Sequence, residues 1–139
     1  MDANVLISHL LKPHADGPPN RVVKAAIAQA FALTLVESTL LEMRDAIRSK
    51  PYLHRRITMA SATQLESALR LSATIIPESI SNVPRLTRDP GVDYLLAHAI
   101  LHGIAYLVSG DRGLLELGTF EGVSIVSPAA FAALLDDLP

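Results

Sequence analysis

The chain has 139 residues, of which 50% are hydrophobic, and this is enough for one domain with a sizeable core. The formal net charge of −2 predicts no overall attraction to nucleic acid, so any such binding must come from a local patch. The absence of cysteine excludes disulfides, thiol catalysis and thiolate zinc sites, and the absence of a membrane-length apolar run or a secretory leader favours a soluble, cytoplasmic protein without membrane contact.

The N-terminal part of the chain is predicted to be mainly helical. A short helix is expected to end before Pro13, because the residue before a proline avoids helical geometry. The segment Gly17-Pro18-Pro19 is typical of a loop. The predicted elements, in order, are a helix over residues 4 to 11, a loop over 12 to 20, a helix over 21 to 31 and a strand over 32 to 36.

Two helix starts are predicted from capping residues in the middle of the chain. Ser38 is expected to cap a helix from Thr39 to about Arg48. The capping box Ser61-Ala62-Thr63-Gln64 predicts a second helix, buried through Leu65, Leu69 and Leu71. A basic segment over residues 48 to 56 lies between them, and a strand over residues 74 to 76 is closed by Pro77.

The C-terminal part is organised around residues 91 to 111. Apolar residues recur with helical spacing, and Gly103 is expected to end this helix in the left-handed conformation. A connector over residues 80 to 90 precedes the helix, and a buried strand over residues 105 to 108 follows it. A helical turn at Leu114-Leu115, a strand over residues 123 to 126 and a final helix capped by Ser127 complete the chain. Because strands alternate with helices, we predict one α/β domain over residues 1 to 139, with a parallel sheet.

Four carboxylates fall where such a sheet presents the carboxyl ends of its strands: Asp2, Glu42, Asp93 and Asp111. Converging anions raise one another's pKa, and a divalent cation relieves that repulsion. Oxygen ligands favour magnesium or manganese over zinc, and such a site suits phosphodiester hydrolysis. Each acid alone also fits an ordinary structural role, such as a turn or a first helical turn. Spacing alone therefore leaves a metal site and coincidence about equal.

Four segments resemble PIN domains, in the same order along the chain. Asp2-Ala3-Asn4-Val5-Leu6-Ile7-Ser8 is similar to the opening of these domains, and Ser38-Thr39-Leu40-Leu41-Glu42-Met43 to the helix that carries their glutamate. Arg88-Asp89-Pro90-Gly91-Val92-Asp93 and the segment from Tyr106 to Leu115 resemble their two later acidic blocks. The resemblance is closest to VapC-like ribonuclease toxins of toxin–antitoxin systems. It implies a flavodoxin-like fold, a parallel sheet of order 3-2-1-4-5 flanked by helices, and an endoribonuclease that requires Mg²⁺ or Mn²⁺.

Carried over by position, the resemblance makes Asp2, Glu42, Asp93 and Asp111 the catalytic and metal-binding acids. Asn4 and Ser109 would orient them. The chain departs from the pattern at Ala3, at Gly113, where a further acid is often found, and at its start. Only Met1 precedes the first acid, so we expect the first, central strand to be truncated or missing, and the terminal ammonium to compete with a metal. We also expect a late start, and expect that an upstream apolar segment would raise stability and metal affinity.

The expected partners follow from local charge and from the resemblance. Arg55, Arg56 and Arg88 are candidate contacts for an RNA substrate, although Arg55 and Arg56 fit a solvated helical hairpin equally well. The resemblance implies a cognate antitoxin, and the apolar stretch around residues 40 to 70 favours a homodimer. A PIN-like RNA- or protein-binding module that no longer cleaves is the main alternative, favoured by Gly113 and the short N-terminus. A phosphatase or phosphoacceptor domain is disfavoured because Asp2-Ala3-Asn4 lacks a second acid.

Overall fold

The structure is a computed structural model, which describes residues 1–77 and 83–138. Helices predominate, and the strands are short. In chain order the elements are α1 (Ala3–Leu11), α2 (Pro18–Ile27), β1 (Thr34–Val36), α3 (Glu37–Ser49), α4 (Pro51–His54), α5 (Met59–Ser72), β2 (Thr74–Ile76), α6 (Pro90–Leu101), β3 (Tyr106–Val108), α7 (Arg112–Leu117), β4 (Thr119–Phe120), β5 (Val123–Val126) and α8 (Pro128–Asp136). Part of the predicted connector over residues 80 to 90 lies outside the described residues.

Three predicted helix starts are wrong, and with the first of them the end of the predicted loop. Helix α2 begins at Pro18, because proline fixes its own backbone angle in the helical range and needs no amide donor in a first turn. Ser38 lies inside the first turn of α3, since the chain passes directly from β1 into the helix with Val36 at the N-cap. Helix α5 starts before Ser61, because the Thr58 hydroxyl accepts the Ser61 amide at 3.1 Å.

Other local predictions are confirmed. Gly103 follows the end of α6 with φ of 63°, a conformation that costs glycine little because it has no Cβ. The Ser127 hydroxyl accepts the Ala130 amide at 3.1 Å and so caps α8. Leu65 and Leu69 are buried on α5, whereas Leu71 is 87% exposed, because it lies on the opposite face of that helix.

The strands form two separate sheets in the described part of the chain. Strand β1 pairs in parallel with β2, and β3 pairs in parallel with β5, as predicted. Strand β4, which no sequence pattern predicted, pairs antiparallel with β5 and forms the other edge of that sheet. Met1 and Asp2 lie between the two sheets, where the Asp2 amide donates to the Val108 carbonyl at 3.0 Å and Met1 lines small cavities beside β1 and β3. The single sheet of order 3-2-1-4-5 is therefore not observed as one hydrogen-bonded unit.

Two apolar clusters hold these elements together. The larger cluster joins α1, α2, α3, α5 and α8 through fully buried side chains such as Leu6, Leu40 and Leu69. The smaller cluster joins α6, β3, β5 and α7 through Leu96, Leu107 and Leu114. Burial of each such side chain stabilises the fold by about 1.5–3 kcal/mol. None of the helices in the described ranges is both long and apolar enough to cross a membrane.

Candidate active site

A cavity of about 400 Å³ lies where the two apolar clusters meet, and its walls carry four carboxylates. Asp2 precedes α1 and Glu42 lies on α3, so these two acids belong to elements that the larger cluster joins. Asp89 precedes α6 and Asp111 precedes α7, on the side of the smaller cluster. The fold therefore brings Asp2, Glu42 and Asp111, three of the four predicted acids, to one cavity.

Ser109 joins two of these acids directly. Its hydroxyl is fully buried, donates to Asp2 Oδ2 at 2.8 Å and accepts the Asp111 amide at 3.0 Å. Asp111 in turn accepts the Leu114 amide through Oδ2 at 2.9 Å, which caps α7. These contacts place Ser109 against both acids, and its predicted role in orienting them stays a prediction.

Asp2 is held at its position by the start of α1. Its Oδ1 accepts the Asn4 amide at 3.3 Å, so it is the main chain of Asn4 that contacts the acid, while the residue itself lines the cavity. Burial lowers the pKa of the Met1 ammonium to about 6, although the charge of Asp2 opposes this. The expected competition of a terminal ammonium with a cation at Asp2 stays a prediction.

The titration of Glu42 is perturbed by its surroundings. Loss of hydration raises its pKa above the usual value, and the charges of Asp2 and then Asp89 raise it further, while Lys50 opposes the shift. Gly91 leaves room for this approach. A Cβ there would lie 3.3 Å from Asp89 Oδ1 and 3.8 Å from Glu42 Oε1. The shift and the spacing agree that negative charge is concentrated on this side of the cavity.

Asp93, the fourth predicted acid, does not line this cavity. Its side chain is fully buried one turn into α6, where Oδ1 accepts both the amide of Thr87 at 2.8 Å and the hydroxyl of Thr87 at 2.9 Å. Its Oδ2 has no hydrogen-bond partner among the described residues, and the nearest cation, Arg85 Nε, is 3.9 Å away. The side chain is buried and anchored and does not line this cavity, so the predicted metal-binding role of Asp93 stays a prediction.

Asp89, which was not among the predicted site residues, lines the cavity. It caps α6, accepting the Gly91 amide through Oδ1 at 2.9 Å, and it is exposed to the cavity. An acid directly before Pro90 is a sequence signal for an N-cap followed by proline at the first helical position. The sequence contains this signal, but the signal predicts only a cap and not that Asp89 lies near Glu42 on α3.

A second cavity of about 580 Å³ adjoins the first across Asp89 and Asp111. Arg88, a predicted substrate contact, lines it together with Arg112, which the sequence analysis did not single out although it follows Asp111 directly. Arg55 and Arg56 follow α4 and line neither cavity, and Arg55 Nε donates to the Pro51 carbonyl at 3.3 Å. Arg88 and Arg112 therefore share a cavity with Asp89 and Asp111, and the charge of Lys50 acts on Glu42.

The acids fit a divalent cation by chemistry, because several carboxylate oxygens meet in one cavity and hard cations prefer such ligands. The raised pKa of Glu42 is consistent with this, since desolvation and the charges of Asp2 and Asp89 outweigh the opposing charge of Lys50. As the side chains stand, however, no three acids or histidines within residues 1–77 and 83–138 are close enough together to hold an ion.

A comparison with protein-family models matches one described as PIN domain to residues 1–113. These residues contain all four acids of the cavity and also Ser109. Neither a curated protein nor a solved structure matches the chain.

Proposed function

The chain belongs to the PIN domain family, and on this premise we propose that it is an Mg²⁺- or Mn²⁺-dependent endoribonuclease. PIN domains are generally nucleases that use divalent metals, so membership gives the nuclease class; the substrate, RNA, and the metal requirement of this chain are the proposal. The observation that supports this proposal is the shared cavity. Asp2, Glu42 and Asp111, which are far apart in the chain, line it together with Asp89.

We assign cation binding to the four acids of the cavity: Asp2, Glu42, Asp89 and Asp111. A cation bound there supplies Lewis-acid stabilisation of the charge that develops on phosphodiester oxygens during hydrolysis. Ser109 holds Asp2 and the main chain of Asp111 in a fixed relation, as residues behind metal ligands commonly do. A bound cation would favour the ionised form of Glu42, whose pKa the surrounding acids and burial raise.

The RNA backbone is assigned to the second cavity. Arg88 and Arg112 lie across Asp89 and Asp111 from the acidic cavity, so phosphates held there would lead a strand past the acids. The predicted contacts of Arg55 and Arg56 stay predictions. Binding through arginine–phosphate contacts weakens as salt is added, and a binding affinity that does not change with salt would contradict this assignment.

The finer biological role is proposed from the resemblance. We propose that the chain is the cytoplasmic toxin of a toxin–antitoxin pair, acts as a homodimer, and is inhibited by a cognate antitoxin protein. Expression of the wild type in bacteria should then arrest growth, whereas expression of Asp111→Asn at the same level should not. Light scattering at micromolar concentration tests the dimer.

The decisive experiment is cleavage of a mixed RNA pool with and without Mn²⁺. We expect wild type to cleave only with metal, and Glu42→Gln and Asp111→Asn to lose at least about 100-fold in rate because each removes a charged ligand. Asp45→Asn is the matched control, since Asp45 is an exposed acid on the same helix that does not line the cavity. Equal rates for Glu42→Gln and wild type would refute the proposal.

A PIN fold that binds RNA or protein without cleaving it is the second candidate. It is favoured by the spread of the acids, of which no three in the described ranges are poised for an ion, and by Gly113. A Cβ at Gly113 would lie 3.2 Å from Asp111 Oδ2 and 3.4 Å from Thr87 Cβ, so a further acid here would be tightly packed against both residues. RNA binding by wild type with no cleavage under any divalent metal would favour this candidate.

A further inference from the structure

The turn before α6 is held by a chain of hydrogen bonds that starts at the buried Asp93. Asp93 Oδ1 accepts the Thr87 amide at 2.8 Å and the Thr87 hydroxyl at 2.9 Å. The same hydroxyl oxygen accepts the Asp89 amide at 3.2 Å and lies 3.1 Å from the Asp89 carbonyl. Thr87 is therefore the link between a carboxylate inside the protein and the backbone of an acid at the cavity.

The far end of this chain is the acidic cavity itself. Asp89 Oδ1 accepts the Gly91 amide at 2.9 Å. The carboxylates of Asp89 and Glu42 both lie close to Gly91. The turn also separates the two cavities, because Asp89 lines both while Arg88 lines only the second. A small shift of the turn would move an acid and an arginine together.

We propose that Asp93 is a positioning residue which, through Thr87, fixes the turn so that Asp89 faces Glu42 across the acidic cavity. This inference rests on the proposed function only for the cation that Asp89 would help to bind. It differs from a ligand role for Asp93, because the oxygen that acts is Oδ1, which is already fully used by Thr87. The negative charge of Asp93 is not needed for this task; an acceptor oxygen at the same place is sufficient.

Two matched pairs of variants separate positioning from metal ligation. Asp93→Asn keeps an acceptor oxygen for Thr87, whereas Asp93→Ala removes it. Thr87→Ser keeps the hydroxyl, whereas Thr87→Val keeps the shape of the side chain but removes the hydroxyl. We expect Mn²⁺ affinity, measured by calorimetry, to stay within about threefold of wild type for Asp93→Asn and Thr87→Ser, and to fall at least about tenfold for the other two, as is common for residues that orient metal ligands.

The second readout does not depend on metal or RNA. Hydrogen exchange of the Gly91 amide, followed by NMR, reports whether Asp89 Oδ1 still accepts it. We expect faster exchange in Thr87→Val and Asp93→Ala and wild-type exchange in Thr87→Ser and Asp93→Asn. Should Asp93→Ala fail to fold, the two Thr87 variants still decide the outcome.

Three results would overturn the inference. Loss of Mn²⁺ affinity in Asp93→Asn as large as in Asp89→Asn would make Asp93 a ligand. Unchanged Gly91 exchange in Thr87→Val, with a lower melting temperature, would reduce the contact to a purely structural one. Wild-type Mn²⁺ affinity in a folded Thr87→Val would show that metal binding does not depend on the Thr87 hydroxyl. If wild type bound no metal at all, the proposed function would fail, and Gly91 exchange would still test the positioning role.

Discussion

Replacement of Ser109 by alanine tests how firmly the site is tied to the fold. Two contacts are lost at once: the hydroxyl no longer donates to Asp2 Oδ2, and the Asp111 amide no longer has its acceptor. Because Ser109 is fully buried, water cannot replace the hydroxyl without rearrangement.

The cost follows from the kinds of hydrogen bond involved. A hydrogen bond to a charged group contributes about 1.5–3 kcal/mol, and an amide left without an acceptor costs about 1 kcal/mol or more. We therefore expect Ser109→Ala to lower the free energy of unfolding by about 3 kcal/mol. For a chain of this length that corresponds to a fall in melting temperature of about 10 °C.

Urea denaturation of wild type and Ser109→Ala gives this difference, and Ser72→Ala is the control. The Ser72 hydroxyl donates to the Ala68 carbonyl at 2.8 Å within its own helix, and its loss should change stability by less than about 0.5 kcal/mol. If Ser109→Ala destabilised the chain by no more than Ser72→Ala does, the bridge between Asp2 and Asp111 would have no energetic weight. Mn²⁺ affinity should fall in the same variant, because Asp2 loses the group that orients it.

Three further changes test the charges around the site. Glu42→Gln should be more stable than wild type at about pH 7. Folding raises the pKa of the Glu42 carboxyl, so its contribution to stability is fully present below the unfolded pKa of 4.5 and is lost as pH rises through the folded pKa. Urea titrations across this range should show the two proteins converging in acid. Arg70→Met removes ion pairs to Glu37 and Glu66 on the surface, so it should cost about 1 kcal/mol in low salt and less in about 1 M salt, by the same assay. Arg112→Gln should weaken RNA binding in chelator, measured by fluorescence anisotropy, and reduce the slope of log affinity against log salt by about 1.

Local features of the fold could be predicted where a single residue decides them. The helix over residues 90 to 101, its end at Gly103 and the cap at Ser127 follow from spacing, positive φ and a side-chain acceptor, all of which act within one turn. The starts at Ser38 and Ser61 could not be placed, because a serine before an apolar run fits an N-cap and a first turn equally well. The separation into two sheets depends on pairings between residues far apart in the chain, which spacing does not contain.

The candidate site was predictable as a set of acids but not as an arrangement. Resemblance and strand ends pointed to Asp2, Glu42 and Asp111, which do line one cavity. Asp89 and Asp93 lie one turn apart at the start of α6, and no pattern states which of them faces α3. The hydrogen bonds of Thr87 hold Asp93 inside and leave Asp89 outside, and this choice appears only when the turn is folded.

The contact between Asp2 and Ser109 has a consequence for biosynthesis. It joins side chains 107 positions apart, so a nascent polypeptide that has emerged only through its first hundred residues holds Asp2 without its buried partner. Asp2 and Asp111 are brought together only after the segment carrying Ser109 and Asp111 has left the ribosome. The cavity that these acids line is thus assembled only late in translation.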